Sequence, residues 1–394
     1  MDKNTAMDVP RFPRPTLGDG TEPTTVLLKT HDEPALHVPL FRFEGTGQPV
    51  LLLHGASAWS GSFVVPKNES LVDALRSRGH DVWLLDWRGG RNTLQRYDDP
   101  RYGDLFSFES IAKDDVLNAV RHIAETRGRQ GRSEAVNMIG HCVGGGLAAL
   151  AVALRDEDTH PLRKVVLSTL GLFAVQDWQG ALKADDLLLE RALAAEPERT
   201  TVHPDPVRVG EPWPGPLEAG WRIWPKPLLP GHVACGDGDS RPGPVFSRLA
   251  FMFGRIAMWN RLHPSLRGDT ALCEQFGRIH LQTYLQCGQS VRRGFIAPFD
   301  APVRTAVDRS DDLLRRRFLN KEKFSQVPMT LITGVENNLW HRDSIDKMSD
   351  WLRRIPGQVG CVKHVVPGYG HQDLLWGTGA GQRAVMALYL DGVA

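Results

Sequence analysis

Short apolar runs alternate with stretches of helical period along much of this chain. Pro49-Val50-Leu51-Leu52-Leu53-His54-Gly55, Asp81-Val82-Trp83-Leu84-Leu85-Asp86-Trp87, Ala135 to Ile139 and Lys164 to Leu170 are near-continuous apolar runs, as expected of strands buried on both faces of a sheet. Between the first two, Glu69 to Gly79 places Leu71, Val72 and Leu75 on one side, with Asn68 as the expected cap. Phe106 to Thr126 repeats that pattern with Ile111, Val116, Val120 and Ile123, and Gly145 to Leu154 follows the third run as a small-residue helix. Strand, helix, strand in this order implies parallel neighbours joined by right-handed crossovers. Ahead of them, Thr25 to Lys29 and Leu36 to Phe43, joined by the polar turn His31-Asp32-Glu33-Pro34, predict an antiparallel edge. The class predicted is α/β, a doubly wound, mostly parallel sheet.

The alternation stops near Gly171 and returns at Pro328-Met329-Thr330-Leu331-Ile332-Thr333-Gly334. Within the gap, Leu182 to Ala195 is amphipathic, Pro197 to Pro244 holds eleven of the chain's 27 prolines, and Val245 to Val291 is helical in period. A structureless loop of that length does not suit a compact domain, so residues 171–327 read as an inserted, mainly helical cap. Its Trp213, Trp221, Trp224, Trp259, Phe251 and Phe253 either line an apolar cleft or fill the cap's own core. The pattern then closes with a helix over Ser344 to Arg354, a strand over Lys363 to Pro367 and a helix over Gly381 to Leu390. Residues 25–170 and 328–394 form the predicted core, and residues 1–24, polar and then proline-punctuated, an exposed arm.

Composition narrows the function classes. The chain has 394 residues, 41% hydrophobic and 24% charged, with 47 basic against 46 acidic side chains and a net charge of +1. That balance disfavours nucleic acid as a partner. The longest aliphatic run, Leu147 to Leu154, falls far short of the roughly 20 residues a membrane span requires. Five cysteines at wide, irregular spacings (142, 235, 273, 287, 361) argue against a disulfide framework and a zinc knuckle, and favour a reducing, cytoplasmic setting. No metal or cofactor is expected.

The third strand delivers the chemistry. Gly140-His141-Cys142-Val143-Gly144 has the nucleophile-elbow spacing Gly-x-Cys-x-Gly, with cysteine at the apex and glycines where a Cβ would collide with the neighbouring strand or helix. After the last predicted strand comes Gly368-Tyr369-Gly370-His371, which puts a histidine at the same carboxyl edge of the sheet. With Leu52-Leu53-His54-Gly55-Ala56 and the Asp81 to Gly89 block, these motifs resemble the α/β-hydrolase superfamily from about residue 36 to 390. The His-Gly and Asp-Val-Trp-Leu blocks resemble the acid-lipase-like branch and, more so, the hydrolase-type domains found beside some glucose-methanol-choline-type oxidases, without a flavin-binding Gly-x-Gly-x-x-Gly at the start. The cysteine is similar to that of polyhydroxyalkanoate synthases and dienelactone hydrolases.

That resemblance implies acyl transfer through an acyl-cysteine, with His371 as base and the backbone N–H groups of Val143 and Ala56 as oxyanion hole. A neighbouring histidine and the following helix would lower the thiol pKa. His54 is expected to order the oxyanion loop, and His141 to face inward or toward the cleft wall. The orienting residue departs from the family pattern: where aspartate is usual stands Asn337, in Gly334-Val335-Glu336-Asn337-Asn338, with Glu336 and Asp343 as alternatives. Asp373 reads as a cap. Three functions compete: hydrolysis of a small-molecule ester or thioester of a hydrophobic acyl group, transfer of the acyl group to an acceptor other than water, and non-catalytic ligand binding.

Overall fold

A computed structural model describes residues 12–94, 97, 105–185, 201–202, 259–267, 271, 274–277, 279–296, 299 and 319–394. Eight strands build one sheet: β1 Thr24–Lys29, β2 His37–Phe43, β3 Pro49–Leu53, β4 Asp81–Leu85, β5 Val136–His141, β6 Leu162–Ser168, β7 Met329–Gly334 and β8 Cys361–Val366. Their spatial order is β1-β2-β4-β3-β5-β6-β7-β8. The β1–β2 and β2–β4 pairs are antiparallel and all the others parallel, so the predicted edge and the predicted parallel core are both present.

The residues of β3, β4 and β5 are all buried, which is why those runs carry almost no polar position. Helices cover both faces: α1 Leu71–Ser77, α2 Asn118–Arg129, α3 Val143–Leu154, α4 Trp178–Asp185, α5 Leu281–Arg293, α6 Asp343–Arg353 and α7 Ala380–Val393. α3 is buried along nearly its whole length, so Gly and Ala there allow close approach to the sheet and its neighbours. No helix among the described residues is long and apolar enough to cross a membrane.

Two local expectations change. The cap of α1 is Ser70, not Asn68: its hydroxyl accepts from the Asp73 N–H while the Asp73 carboxylate accepts from the Ser70 N–H, a reciprocal capping box. Asn68 lies outside the helix in the left-handed region (φ 67°). The helix expected over 106–126 starts at Phe108, passes through a π-helical stretch Ile111–Leu117 and ends at Arg129. The π stretch carries Asp115, whose carboxylate binds the backbone N–H and the guanidinium of buried Arg88, at 2.8 Å and 2.6 Å. Sequence period alone does not separate this widened turn from an α-helix.

Of the 171–327 insertion, residues 171–185 with α4, 201–202, 259–267, 271, 274–277, 279–296 with α5, 299 and 319–327 are described. α5 packs on α4, and its Gln282 and Gln286 side-chain oxygens accept from the N–H groups of Phe106 and Phe108 at 2.7 Å and 2.6 Å. Trp259 is buried. Trp213, Trp221, Trp224, Phe251, Phe253, the proline-rich stretch apart from residues 201–202, and all but the first residues of the 182–195 segment lie outside the described residues.

Candidate active site

Four parallel strands end at the same edge, and their carboxyl-terminal loops bring together residues from widely separated parts of the sequence. β3 leads to His54-Gly55-Ala56, β5 to Cys142, β7 to Asn337 and Trp340, and β8 to His371.

Cys142 takes φ 57° and ψ −129° between β5 and α3, a conformation costly for a residue with a side chain. Tight packing at both ends holds it: a Cβ on Gly140 would stand 2.3 Å from the Gly144 carbonyl oxygen, and one on Gly144 would stand 2.1 Å from that of Leu53. The Cys142 N–H is tied to the Ser168 carbonyl at 3.0 Å. The strained turn leaves the thiol at the start of α3, facing the backbone N–H groups of Val143 and Ala56, with the Trp340 indole beside it.

Cys142 is 5% exposed. Burial pushes it up to about 11, and the donors around it offset only part of that. The expected lowering of its pKa is therefore overturned: desolvation outweighs the helix terminus and the donors. At neutral pH the resting site holds a thiol, not a thiolate.

His371 is fully buried, and its Nδ1–H donates to the Asn337 Oδ1 at 3.1 Å. Asn337 is held by its own Nδ2 donating to the Thr333 hydroxyl at 3.3 Å and by its N–H on the Gly334 carbonyl at 3.2 Å. The two loops are stitched directly, Val335 N–H to Val366 O at 2.9 Å and Glu336 N–H to Tyr369 O at 3.0 Å, which fixes Asn337 against the histidine. The same stitching sends the Glu336 side chain outward, where it is exposed. Asp343 pairs with His341 at 3.2 Å in the first turn of α6. Of the three candidates for the orienting position, Asn337 makes the hydrogen bond to His371.

With Nδ1 carrying the proton, Nε2 is a bare acceptor, buried with no hydrogen-bond partner among the described residues. Burial, and then the neighbouring His141, hold His371 well below the ordinary histidine range. The two rings are 5.0 Å apart. His141 is itself buried and pushed down to about 3, with Nδ1 on the Ser168 hydroxyl at 3.0 Å and that hydroxyl on the Tyr389 hydroxyl at 2.7 Å.

Behind the oxyanion loop, the His54 Nδ1–H donates to the Gly55 carbonyl at 2.8 Å, its ring stacks on Trp87, and the Trp87 indole N–H donates to the His54 carbonyl at 3.1 Å. Asp86 accepts from the Ser60 N–H at 2.5 Å and lies 3.6 Å from His54 Nε2. Burial pushes Asp86 up to about 6 and His54 down to about 4. Asp86 and Trp87, read from sequence only as a strand end, buttress the loop that carries Ala56. Asp373 is a tie more than a cap: its carboxylate accepts from the N–H groups of Gly370, Asn260 and Arg261 at 2.7, 2.6 and 2.9 Å, joining the histidine loop to the insertion. Trp340 also escaped the sequence reading, although it stands three residues after Asn337 on the same loop.

Among the described residues no group of three or more His, Cys, Asp or Glu side chains is arranged to hold a metal ion. One edge of the sheet thus gathers a buried thiol on a strained turn and a buried histidine whose Nε2 has no partner among the described residues.

The family model of the alpha/beta hydrolase fold matches residues 48–201. A Schizosaccharomyces pombe protein named as a probable lipase is 28% identical over 340 residues, 84% of this chain and 64% of that protein. The poly(3-hydroxyalkanoate) polymerase subunit PhaC of Haloarcula marismortui is 27% identical over 128 residues, 32% of this chain and 22% of its own length. The chain thus spans less than two thirds of the length of these curated relatives. A soluble variant of the monoglyceride lipase of Saccharomyces cerevisiae, solved with a substrate analogue, superposes with a TM-score of 0.53 over 95% of this chain and 96% of that one, at 13% identity, which speaks to the fold. By sheet order and by the turn between β5 and α3 the chain has the α/β-hydrolase fold, and over residues 48–201 it is similar to the members of that superfamily.

Proposed function

We propose that this protein is an acyl-transfer enzyme that hydrolyses an ester or thioester of a hydrophobic acyl group through an acyl-cysteine on Cys142. The observation that carries this reading is the thiol on a strained elbow facing two backbone N–H groups, with a bare histidine nitrogen on the adjacent loop. Similarity to a protein named as a lipase supports the choice of a hydrophobic ester. Residues 171–327 act as the cap, a reading supported by the docking of α5 on the start of the long helix and by the Asp373 tie.

The steps follow from the protonation states. A neutral thiol and a neutral imidazole start the reaction, so His371 Nε2 takes the thiol proton as the sulfur attacks the acyl carbonyl. The carbonyl oxygen becomes an oxyanion and takes over the N–H groups of Val143 and Ala56. Collapse expels the alcohol or thiol, which leaves with the proton from His371. Water, deprotonated by the same Nε2, then attacks the acyl-cysteine, releasing the acid and restoring the S–H. Asn337 keeps the proton on Nδ1 throughout, so that Nε2 is always the working atom.

A second reading is transfer to an acceptor other than water. It rests on the likeness to a polyhydroxyalkanoate polymerase subunit and on a nucleophile that is cysteine. Incubation with acyl thioesters of rising chain length, followed by intact mass and by release of free acid, separates the readings. Hydrolysis predicts transient acylation with acid release, both lost in Cys142→Ala. Stable acylation discharged only by an added nucleophile supports transfer. Absence of any acylation by esters and thioesters alike, with ligand binding unchanged in Cys142→Ala, leaves a binding protein.

A further inference from the structure

At the carboxyl ends of β5 and β6 lies a hydrogen-bond chain that the proposed steps do not use. The Tyr389 hydroxyl on α7 is bonded to the Ser168 hydroxyl at 2.7 Å, and that hydroxyl to His141 Nδ1 at 3.0 Å. All three side chains are buried, and burial keeps the phenol protonated and the imidazole neutral. Only one direction along the chain leaves no hydroxyl hydrogen unbonded. Tyr389 has no acceptor other than Ser168 among the described residues, so its O–H donates there. Ser168 then has His141 Nδ1 as the acceptor for its own hydrogen. The reverse direction, or two donors meeting at the Ser168 oxygen, strands a buried O–H at a cost of roughly 1–3 kcal/mol.

Nδ1 is therefore the accepting nitrogen of His141, and the ring's single proton sits on Nε2. His371 is the opposite tautomer, with Nδ1–H on Asn337 and a bare Nε2. The two rings are 5.0 Å apart, and each Nε2 is buried with no partner among the described residues, one a donor and the other an acceptor. On the histidine loop, the Gln372 Oε1 is a second acceptor that is buried and unpaired. One donor and two acceptors suit a single water, since buried waters typically make about three hydrogen bonds to groups otherwise left unsatisfied. Such a water accepts from His141, donates its hydrogens to His371 and Gln372, and keeps one lone pair free.

We infer that His141 is a positioning residue for hydrolysis: its Nε2–H, set by Ser168 and Tyr389, and the bare Nε2 of His371 hold between them the water that attacks the acyl-cysteine. This rests on the reading of Cys142 as nucleophile and His371 as base, and it names water as the acyl acceptor. The free lone pair of the water forms the C–O bond to the acyl carbon while one water proton passes to His371 Nε2. The C–S bond then breaks with its electron pair going to sulfur, which takes that proton as S–H. His141 keeps its own proton throughout and supplies orientation, not acid.

The test separates the two half-reactions. His141→Leu removes the donor, His141→Gln keeps an amide N–H at a similar reach, and Tyr389→Phe breaks the chain at its far end. Acylation by a short-chain acyl thioester is followed by intact mass in a single turnover, and discharge of acyl-Cys142 is measured in water and with added hydroxylamine, a nucleophile that replaces the water. His141→Leu is expected to acylate, and to be discharged by hydroxylamine, within about three-fold of wild type while hydrolysing the acyl-cysteine on the order of 10-fold to 100-fold more slowly, with His141→Gln recovering part of the loss. Proton–nitrogen correlation spectra at pH 7 read the tautomers: His141 protonated on Nε2, His371 on Nδ1, and His141 shifted toward Nδ1–H in Tyr389→Phe. Equal losses in acylation and hydrolysis, a wild-type His141 protonated on Nδ1, or an acyl-cysteine that water does not discharge overturns the inference. If His141→Leu does not fold, Tyr389→Phe decides, and an unmoved tautomer with an unmoved hydrolysis rate is the overturning result. Wild-type protein that does not acylate at Cys142 fails the nucleophile reading and takes this one with it, whereas normal acylation and hydrolysis in both wild type and His141→Leu removes His141 alone.

Discussion

Asn337 stands where a carboxylate is usual in this fold, and it gives the buried His371 a neutral partner. An amide oxygen accepts the Nδ1–H without stabilising an imidazolium by charge, which accords with a histidine held far below its ordinary range. The acid limb of kcat/KM is therefore expected below pH 6.5, because His371 remains an acceptor there. Asn337→Asp places a negative charge on the same nitrogen and should raise that limb by about one unit or more, readable in the pH profile of the variant. An unmoved limb would mean that another group controls it. That Cys142, His371 and Asn337 stand at one edge of the sheet was legible in sequence, because elbow spacing and chain order belong to local stretches. The choice of Asn337 over Glu336 was not, since it depends on how the loops after β7 and β8 are hydrogen-bonded to each other. The thiol pKa was misread for a related reason: a sequence shows the helix that follows a cysteine but not the depth of its burial.

Strands and helices were legible where one rule dominated. β3, β4 and β5 are buried on both faces, so continuous apolar runs identified them, whereas Ser70 and the π stretch at Ile111–Leu117 turn on hydrogen bonds that periodicity does not encode. The connection most consequential for the site is one no pattern shows. Asp373 binds three backbone N–H groups, one on the histidine loop and two in the segment at 260–261. Asp373→Ala strands those donors and is expected to cost about 3 kcal/mol or more in urea unfolding, with a fall in acylation rate. Asp373→Asn, which retains one acceptor oxygen, should recover part of both. Equal losses in the two variants would show that the tie does not act through its acceptor oxygens.

Over the whole molecule, buried titratable groups fix the pH dependence of folding. His54, His141 and His371 all have folded pKa values below 6.5, so below that pH the unfolded chain takes up protons that the folded chain refuses. Stability from these three is present above pH 6.5 and is lost as pH falls. Asp86 acts the other way: its carboxyl, pushed up to about 6, keeps a proton when folded that the unfolded chain has released down to 3.8. His80, His122 and His160 are held below their ordinary value as well, and Asp114, Asp115 and Asp373 above theirs, so six histidines against four carboxyls leave a net uptake of protons on unfolding below pH 6.5. The melting temperature is expected to drop steadily from pH 7 to pH 5 at constant ionic strength, and a flat or rising profile would contradict the neutral burial of the histidines. The protonated state of Cys142 bears on chemical durability. Peroxides and electrophilic poisons attack thiolates, and a buried group pushed up to about 11 presents almost none of that form between turnovers. On the proposed reading, a sulfur made nucleophilic only when His371 withdraws its proton would resist the oxidation to sulfenic acid that disables cysteine enzymes with a standing thiolate, and covalent inhibitors chosen for such enzymes would react slowly here.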